Sequence, residues 1–129
     1  MIEKKHRIED ALEAVKAAQM DGIVAGGGVA LLRALPKKNS DPLEEIVYEA
    51  VKEPIRQMAR NAGESPDLIL DRVMRAKGNR GYNFATGEMC DLFEAGVIDP
   101  VRVTKTALQM ATSAAGTLLT TGYAIVEGE

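Results

Sequence analysis

Ile23-Val24-Ala25-Gly26-Gly27-Gly28-Val29-Ala30-Leu31-Leu32 runs two β-branched residues into three consecutive glycines and then into a row of helix formers. That order predicts a short buried strand, a tight loop and the first turn of a helix. Glycine has no Cβ, so its backbone N–H can approach a ligand closely. A helix start behind the loop favours negative charge. One reading is therefore a loop at Gly26, Gly27 and Gly28 that contacts phosphate or nucleotide. The other is a tight turn at which strand and helix pack closely, and the glycines alone favour that plainer reading. No Gly-Lys-Ser/Thr follows, which excludes a P-loop. Leu31 stands where a dinucleotide-binding fingerprint has its third glycine.

On the N-terminal side, Ile8, Ala11, Leu12, Val15 and Ala18 keep helical spacing. Residues Met1 to Arg7 are charged and expected to fray. Gly22 is placed to end the helix as a left-handed C′ glycine. Asp10 lies off the apolar stripe, on the side shared by Ala14, Ala17 and Asp21. Small neighbours leave its carboxylate reachable, although most such aspartates are simply solvated.

On the C-terminal side, the helix after the glycines is expected to stop at Pro36, before a polar loop, Lys37-Lys38-Asn39-Ser40. Asp41-Pro42-Leu43-Glu44 is a helix start with a capping residue and proline at the first helical position. Leu43, Ile46, Val47, Ala50 and Val51 form its expected buried face. Pro54 removes a backbone donor and divides this helix from the next, which runs through Ile55, Met58 and Ala59 to Gly63. Ser65-Pro66 opens another, with Leu68, Ile69, Val73 and Met74 as its apolar positions. Gly78 to Gly81 is a turn, and Tyr82-Asn83-Phe84-Ala85 is a short strand or hairpin arm with Gly87 as turn glycine. Asp91 to Ala95 is one helical turn, and Val97-Ile98 is a short buried stretch. Asp99-Pro100 opens the longest late helix. There Asp99 has two readings, an N-cap or a ligand contact at a helix start. Tyr123-Ala124-Ile125-Val126 is a terminal β-type run that requires a partner strand.

The composition narrows the functions. With 129 residues the chain is the size of one ordinary domain. It is 46% hydrophobic but only 4% aromatic, with no Trp, so its core is aliphatic. A net charge of −3 argues against nucleic acid as the main partner. One cysteine, Cys90, excludes an internal disulfide and suits a reducing compartment. The single His6 cannot build a histidine metal site. No apolar run approaches a membrane span and the first residues do not form a signal peptide. The expected setting is the cytoplasm.

Four blocks occur together and in one order: Arg7-Ile8-Glu9-Asp10-Ala11-Leu12, Gly22-Ile23-Val24-Ala25-Gly26-Gly27-Gly28-Val29-Ala30-Leu31, Gly81-Tyr82-Asn83-Phe84-Ala85-Thr86 and Ala95-Gly96-Val97-Ile98-Asp99-Pro100. Over nearly the whole chain this resembles the C-terminal part of group I chaperonins, the GroEL type. The resemblance implies a mainly α fold, a helical bundle like the C-terminal half of the chaperonin equatorial domain with a short β-hairpin and a terminal strand. Residues 1–21 then match a helix at the junction of intermediate and equatorial domains, and 22–129 match the ATP-binding equatorial half. By position, Asp10 matches the carboxylate that activates the attacking water. Gly26, Gly27 and Gly28 match the nucleotide-contacting loop, Asn83, Phe84 and Ala85 the wall against the adenine, and Asp99 the ribose-binding carboxylate. The implied cofactor of the complete family member is ATP or ADP with Mg2+, and no metal ligand is implied within this chain.

The chain departs from the family in places. The Asp-Gly-Thr-Thr-Thr loop that holds phosphate and magnesium does not occur in these residues, nor does the apical region that grips unfolded clients and the co-chaperonin. The Gly-Gly-Met tail is missing, the Lys37 to Ser40 loop looks short, and Phe84 stands where alanine is common. Two functions follow. In one, the chain is part of an ATP-driven folding machine and supplies nucleotide and ring-assembly surfaces, but does not hydrolyse ATP alone. In the other, it is a helical module that associates with itself or with complementary chaperonin segments and performs no chemistry. Neither involves nucleic acid or membrane.

Overall fold

The computed structural model describes residues 2–35 and 41–125. Among them run α1 (Ile2–Asp21), β1 (Ile23–Ala25), α2 (Val29–Ala34), α3 (Pro42–Ala50), α4 (Glu53–Asn61), α5 (Pro66–Arg75), β2 (Arg80–Asn83), β3 (Glu88–Asp91), β4 (Ile98–Pro100) and α6 (Val101–Thr120). The fold is mainly α with two small antiparallel ribbons. β1 pairs with β4, placing Ile23 opposite Pro100, Val24 opposite Asp99 and Ala25 opposite Ile98. β2 pairs with β3, from Arg80 opposite Asp91 to Asn83 opposite Glu88.

The helix signals are answered locally. Gly22 has φ +84° and its N–H reaches the Ala18 carbonyl, closing α1. At the end of α4, Gly63 has φ +74°, Glu64 N–H donates to Ala59 O and Gly63 N–H to Arg60 O. That is the Schellman pattern, and it turns the chain into α5. Pro54 and Pro66 sit in the first turns of α4 and α5, where a missing N–H costs nothing.

The core gathers between the two ribbons and α2, α4 and α5. Ala25, Val29, Leu32, Ile55, Ala59, Ile69, Leu70, Val73, Tyr82 and Leu92 form one buried cluster, with Met58, Phe84, Met89, Cys90 and Val97 packed against it. Each fully buried Ile, Leu or Val among them contributes roughly 1.5–3 kcal/mol through removal from water. The exposed side of α3 and α4 carries charge instead. Arg56 meets Glu53 at 3.1 Å and Asp67 at 3.4 Å, Arg60 meets Glu53 at 3.2 Å, and Lys52 pairs with Glu49.

Several expectations need correction. Residues 2–7, expected to fray, are helical: α1 begins at Ile2, and Glu3–Arg7 and Lys5–Glu9 pairs at i,i+4 lie along it, while Met1 lies outside the described residues. Of the predicted inner face of α3, Ile46 is 68% and Val47 55% exposed, Ala50 is exposed too, and Val51 is buried beyond the helix end; the Leu43 side chain lies outside the described residues. Leu68, Met74 and Ile98 are likewise exposed. Asp91 to Ala95 is a hydrogen-bonded turn rather than a helix, held by Phe93 and Glu94 N–H groups on the Asp91 carboxylate. The expected terminal strand is not formed over Tyr123 to Ile125, because no strand lies beside it among the described residues. Val126 lies outside the described residues, as do Pro36 and the Lys37 to Ser40 loop. No helix among the described residues is long and apolar enough to cross a membrane.

Candidate functional site

The three glycines do different work. Gly26 N–H donates to Val97 O at 3.0 Å, and a Cβ on Gly26 would stand 3.2 Å from Val97. Gly28 has φ +75°, and its Cβ would meet Met58 Cε at 3.0 Å and Ile55 at 3.3 Å. Both positions are close packing contacts, as the plainer reading of the loop required. Gly27 is different. It has φ +63°, its Cβ position is 3.6 Å from Tyr82 O, and nothing else crowds it. The N–H groups of Gly27 and Gly28 have no hydrogen-bond acceptor among the described residues, while Val29 N–H turns back to Gly26 O. The two successive left-handed glycines thus form a tight turn whose own N–H groups are left for an acceptor such as an anion. α2 has only six residues, so these donors, not a long helix dipole, would carry such a contact.

The loop sits against β2 through a run of matched contacts. Gly27 faces the carbonyl of Tyr82. Val29 packs over Gly81, where a Cβ would lie 2.6 Å from Val29 Cγ2 and 2.6 Å from Leu92 Cδ1. Arg33, one turn beyond Val29, donates to Arg80 O at 3.2 Å. The same guanidinium donates to Val73 O at 2.9 Å and Gly78 O at 3.0 Å. Partial burial pulls the Arg33 pKa down from its usual value, yet an arginine remains charged. Three carbonyls facing one cation supply the compensation that a half-buried charge needs.

β2 then delivers the hairpin tip. Asn83 Oδ1 accepts the Ala85 N–H at 3.0 Å and Asn83 O accepts the Gly87 N–H at 2.8 Å, so Asn83 shapes the turn. Phe84 meets Tyr82 edge to face, with centroids 5.0 Å apart and planes at 70°. Tyr82 is buried, and its hydroxyl donates to Glu64 Oε1 at 3.2 Å. Ala85 is exposed.

Asp99 joins this region from the other ribbon. It is half-buried on β4 directly opposite Val24, two residues before Gly26. Its capping reading is corrected: the N-cap of α6 is Pro100, and Asp99 belongs to the strand. Asp10 is exposed on α1, about 16 Å along the helix axis from Asp21 at 1.5 Å per residue. Packing joins the glycine loop to β2, and strand pairing joins Asp99 to β1; none of these contacts involves Asp10.

Arg33 and the packing role of Gly81 were not foreseen from the sequence. A glycine inside a strand does mark close approach of another element. Elsewhere, a cavity of about 430 Å³ lies between the end of α1 and the start of α6, lined by Asp21, Val101, Arg102, Lys105, Thr106 and Gln109. None of the candidate residues lines it. There Arg102 pairs with Asp21 at 2.6 Å, which raises the Arg102 pKa further. Among the described residues no cluster of three or more His, Cys, Asp or Glu could hold a metal ion.

A sequence profile of the TCP-1/cpn60 chaperonin family matches residues 1–129. The chain belongs to the TCP-1/cpn60 chaperonin family, whose role is to assist protein folding. Chaperonins are generally oligomeric and bind client proteins.

Proposed function

We propose that this chain is the C-terminal equatorial segment of a group I chaperonin and supplies part of an adenine-nucleotide site. Gly27 and Gly28 would meet the phosphates through their N–H groups, Asn83, Phe84 and Ala85 would flank the adenine, and Asp99 would bind the ribose. Magnesium would arrive with the nucleotide, whose phosphates are themselves magnesium ligands. Asp10 would act as general base toward a water once the complementary equatorial half brings the phosphates to it. The observation that carries this reading is the pair of unengaged N–H groups at Gly27 and Gly28, held beside the strand that leads to Asn83.

The test is binding by the chain alone. ADP with Mg2+ should raise the melting temperature, because a ligand that binds only the folded state stabilises it, by about 2.7 kcal/mol at a hundredfold excess over Kd. Gly27→Val should abolish the rise. A melt indifferent to millimolar ADP in the wild-type chain would refute the reading for this segment.

One observation favours a second reading, that of an assembly module without turnover. α6 is a 20-residue helix with no buried residue, and Val103, Leu108, Met110, Leu118 and Leu119 are exposed along it. Ile8, Leu12 and Val15 repeat this on α1. Faces of that kind associate. Light scattering decides: a monomer mass across a dilution series at micromolar concentration would exclude self-association.

A further inference from the structure

We infer that Arg33 is the positioning residue that sets the spacing between the glycine loop and the hairpin tip at the nucleotide wall. This rests on the nucleotide reading of that wall and adds to it the part that holds its two sides in register.

Three observations carry it. Arg33 stands on α2, one helical turn after Val29, so both residues present the same face. Its guanidinium reaches the carbonyls of Val73, Gly78 and Arg80, which belong to the end of α5, the following turn and the start of β2. Those segments are brought together by one side chain, since a planar fork can serve several acceptors and an ammonium cannot do so in the same geometry. Beyond Arg80, Gly81 packs under Val29 and Tyr82 O faces Gly27. Arg80, Gly81 and Tyr82 are thus met in order by Arg33, Val29 and Gly27. A shift of β2 along α2 would break all three contacts together. It would also move Asn83 and Phe84 relative to the N–H groups of Gly27 and Gly28.

The experiment uses the full chain with ADP and Mg2+ as the probe. Arg33→Lys keeps the charge and loses the fork. Ile69→Val removes one methylene from the core without altering any group that Arg33 bonds, and serves as a control for lost stability. Affinity for ADP is measured by calorimetry for both, with amide exchange at Leu92 and Gly87 on the hairpin side and at Ala62 after α4. We expect Arg33→Lys to bind ADP at least tenfold more weakly than Ile69→Val, and Leu92 and Gly87 to exchange at least tenfold faster while Ala62 follows the control. Equal loss of affinity in the two variants would make Arg33 merely stabilising and overturn the inference. Unchanged affinity in Arg33→Lys would overturn it too. If the wild-type chain binds no ADP, the nucleotide reading falls by itself. Exchange then decides the rest, and hairpin amides unmoved by Arg33→Lys would overturn the positioning role. Should Arg33→Lys not fold, Arg33→Gln, which keeps a short planar donor, carries the same comparison.

Discussion

Gly81→Ala is a one-methyl test of how tightly α2 and β2 are joined. The new Cβ would stand 2.6 Å from both Leu92 Cδ1 and Val29 Cγ2, and 3.3 Å from Leu92 Cγ. Carbon atoms rest about 3.5–4.0 Å apart, so each neighbour must retreat by roughly 1 Å. Neither has room, since Val29 and Leu92 are both 0% exposed. Overpacking of this kind costs about 1–3 kcal/mol. Gly81 does not have positive φ, so alanine also stiffens the unfolded chain and returns about 0.4–1 kcal/mol. The net loss is about 1–2 kcal/mol, which lowers the melting temperature by roughly 4–8 °C for a chain of this size. Differential scanning calorimetry measures it. The cause is checked by adding Val29→Ala, which removes one of the two atoms at 2.6 Å. In the double variant the two costs should fall short of their sum by about 1 kcal/mol. An unchanged melt for Gly81→Ala, or strictly additive costs, would refute the packing described at this contact.

Other substitutions test other parts of the molecule. Gly116→Ala should raise the melting temperature, because no atom lies within 4 Å of the new Cβ on α6 and alanine is the better helix former by about 1 kcal/mol. Tyr82→Phe should flatten the alkaline limb of the stability profile. Burial, and then the bond to Glu64, hold the Tyr82 phenol above its ordinary value of 10.0. Its share of stability is therefore present below pH 10 and is lost as pH rises through the folded value, a loss phenylalanine cannot show. Asp10→Ala should leave the melt of this chain within a degree or two, since Asp10 is exposed on α1. In a reconstituted ring the same change should cut phosphate release at least ~100-fold, the low end for loss of a general base.

Much of the fold could be read from short-range signals. Pro42, Pro54 and Pro66 each marked a helix start, Gly22 and Gly63 each marked an end, and Gly87 marked the hairpin turn. These features act within one turn of chain, so their meaning is local. The helix-cap reading of Asp99 failed because Asp-Pro suits a helix cap and a strand end equally. What decides between them is Val24, far away in the chain. The apolar rows of α1 and α3 were legible as rows, but periodicity names a face without naming its cover. Of the site, the loop and hairpin were visible as glycine patterns. Arg33 was not, because its three acceptors are main-chain carbonyls that any residue would provide.

The pairing of β1 with β4 bears on the order in which the molecule takes shape. Every side chain of the buried cluster lies between Ala25 and Leu92, whereas the partner of β1 begins at Ile98. Joining Ala25 to Ile98 closes a far longer loop than joining Asn83 to Glu88. By the logarithmic rule for loop closure the difference is about 2–3 kcal/mol of entropy. On loop closure alone, the β2–β3 hairpin and the α4–α5 pair are expected to condense before the β1–β4 ribbon. A ribosome adds about 5–20 residues per second and finishes the N-terminal part first. The strand that ties the molecule's two long outer helices together follows the last side chain of the packed middle out of the ribosome within about a second.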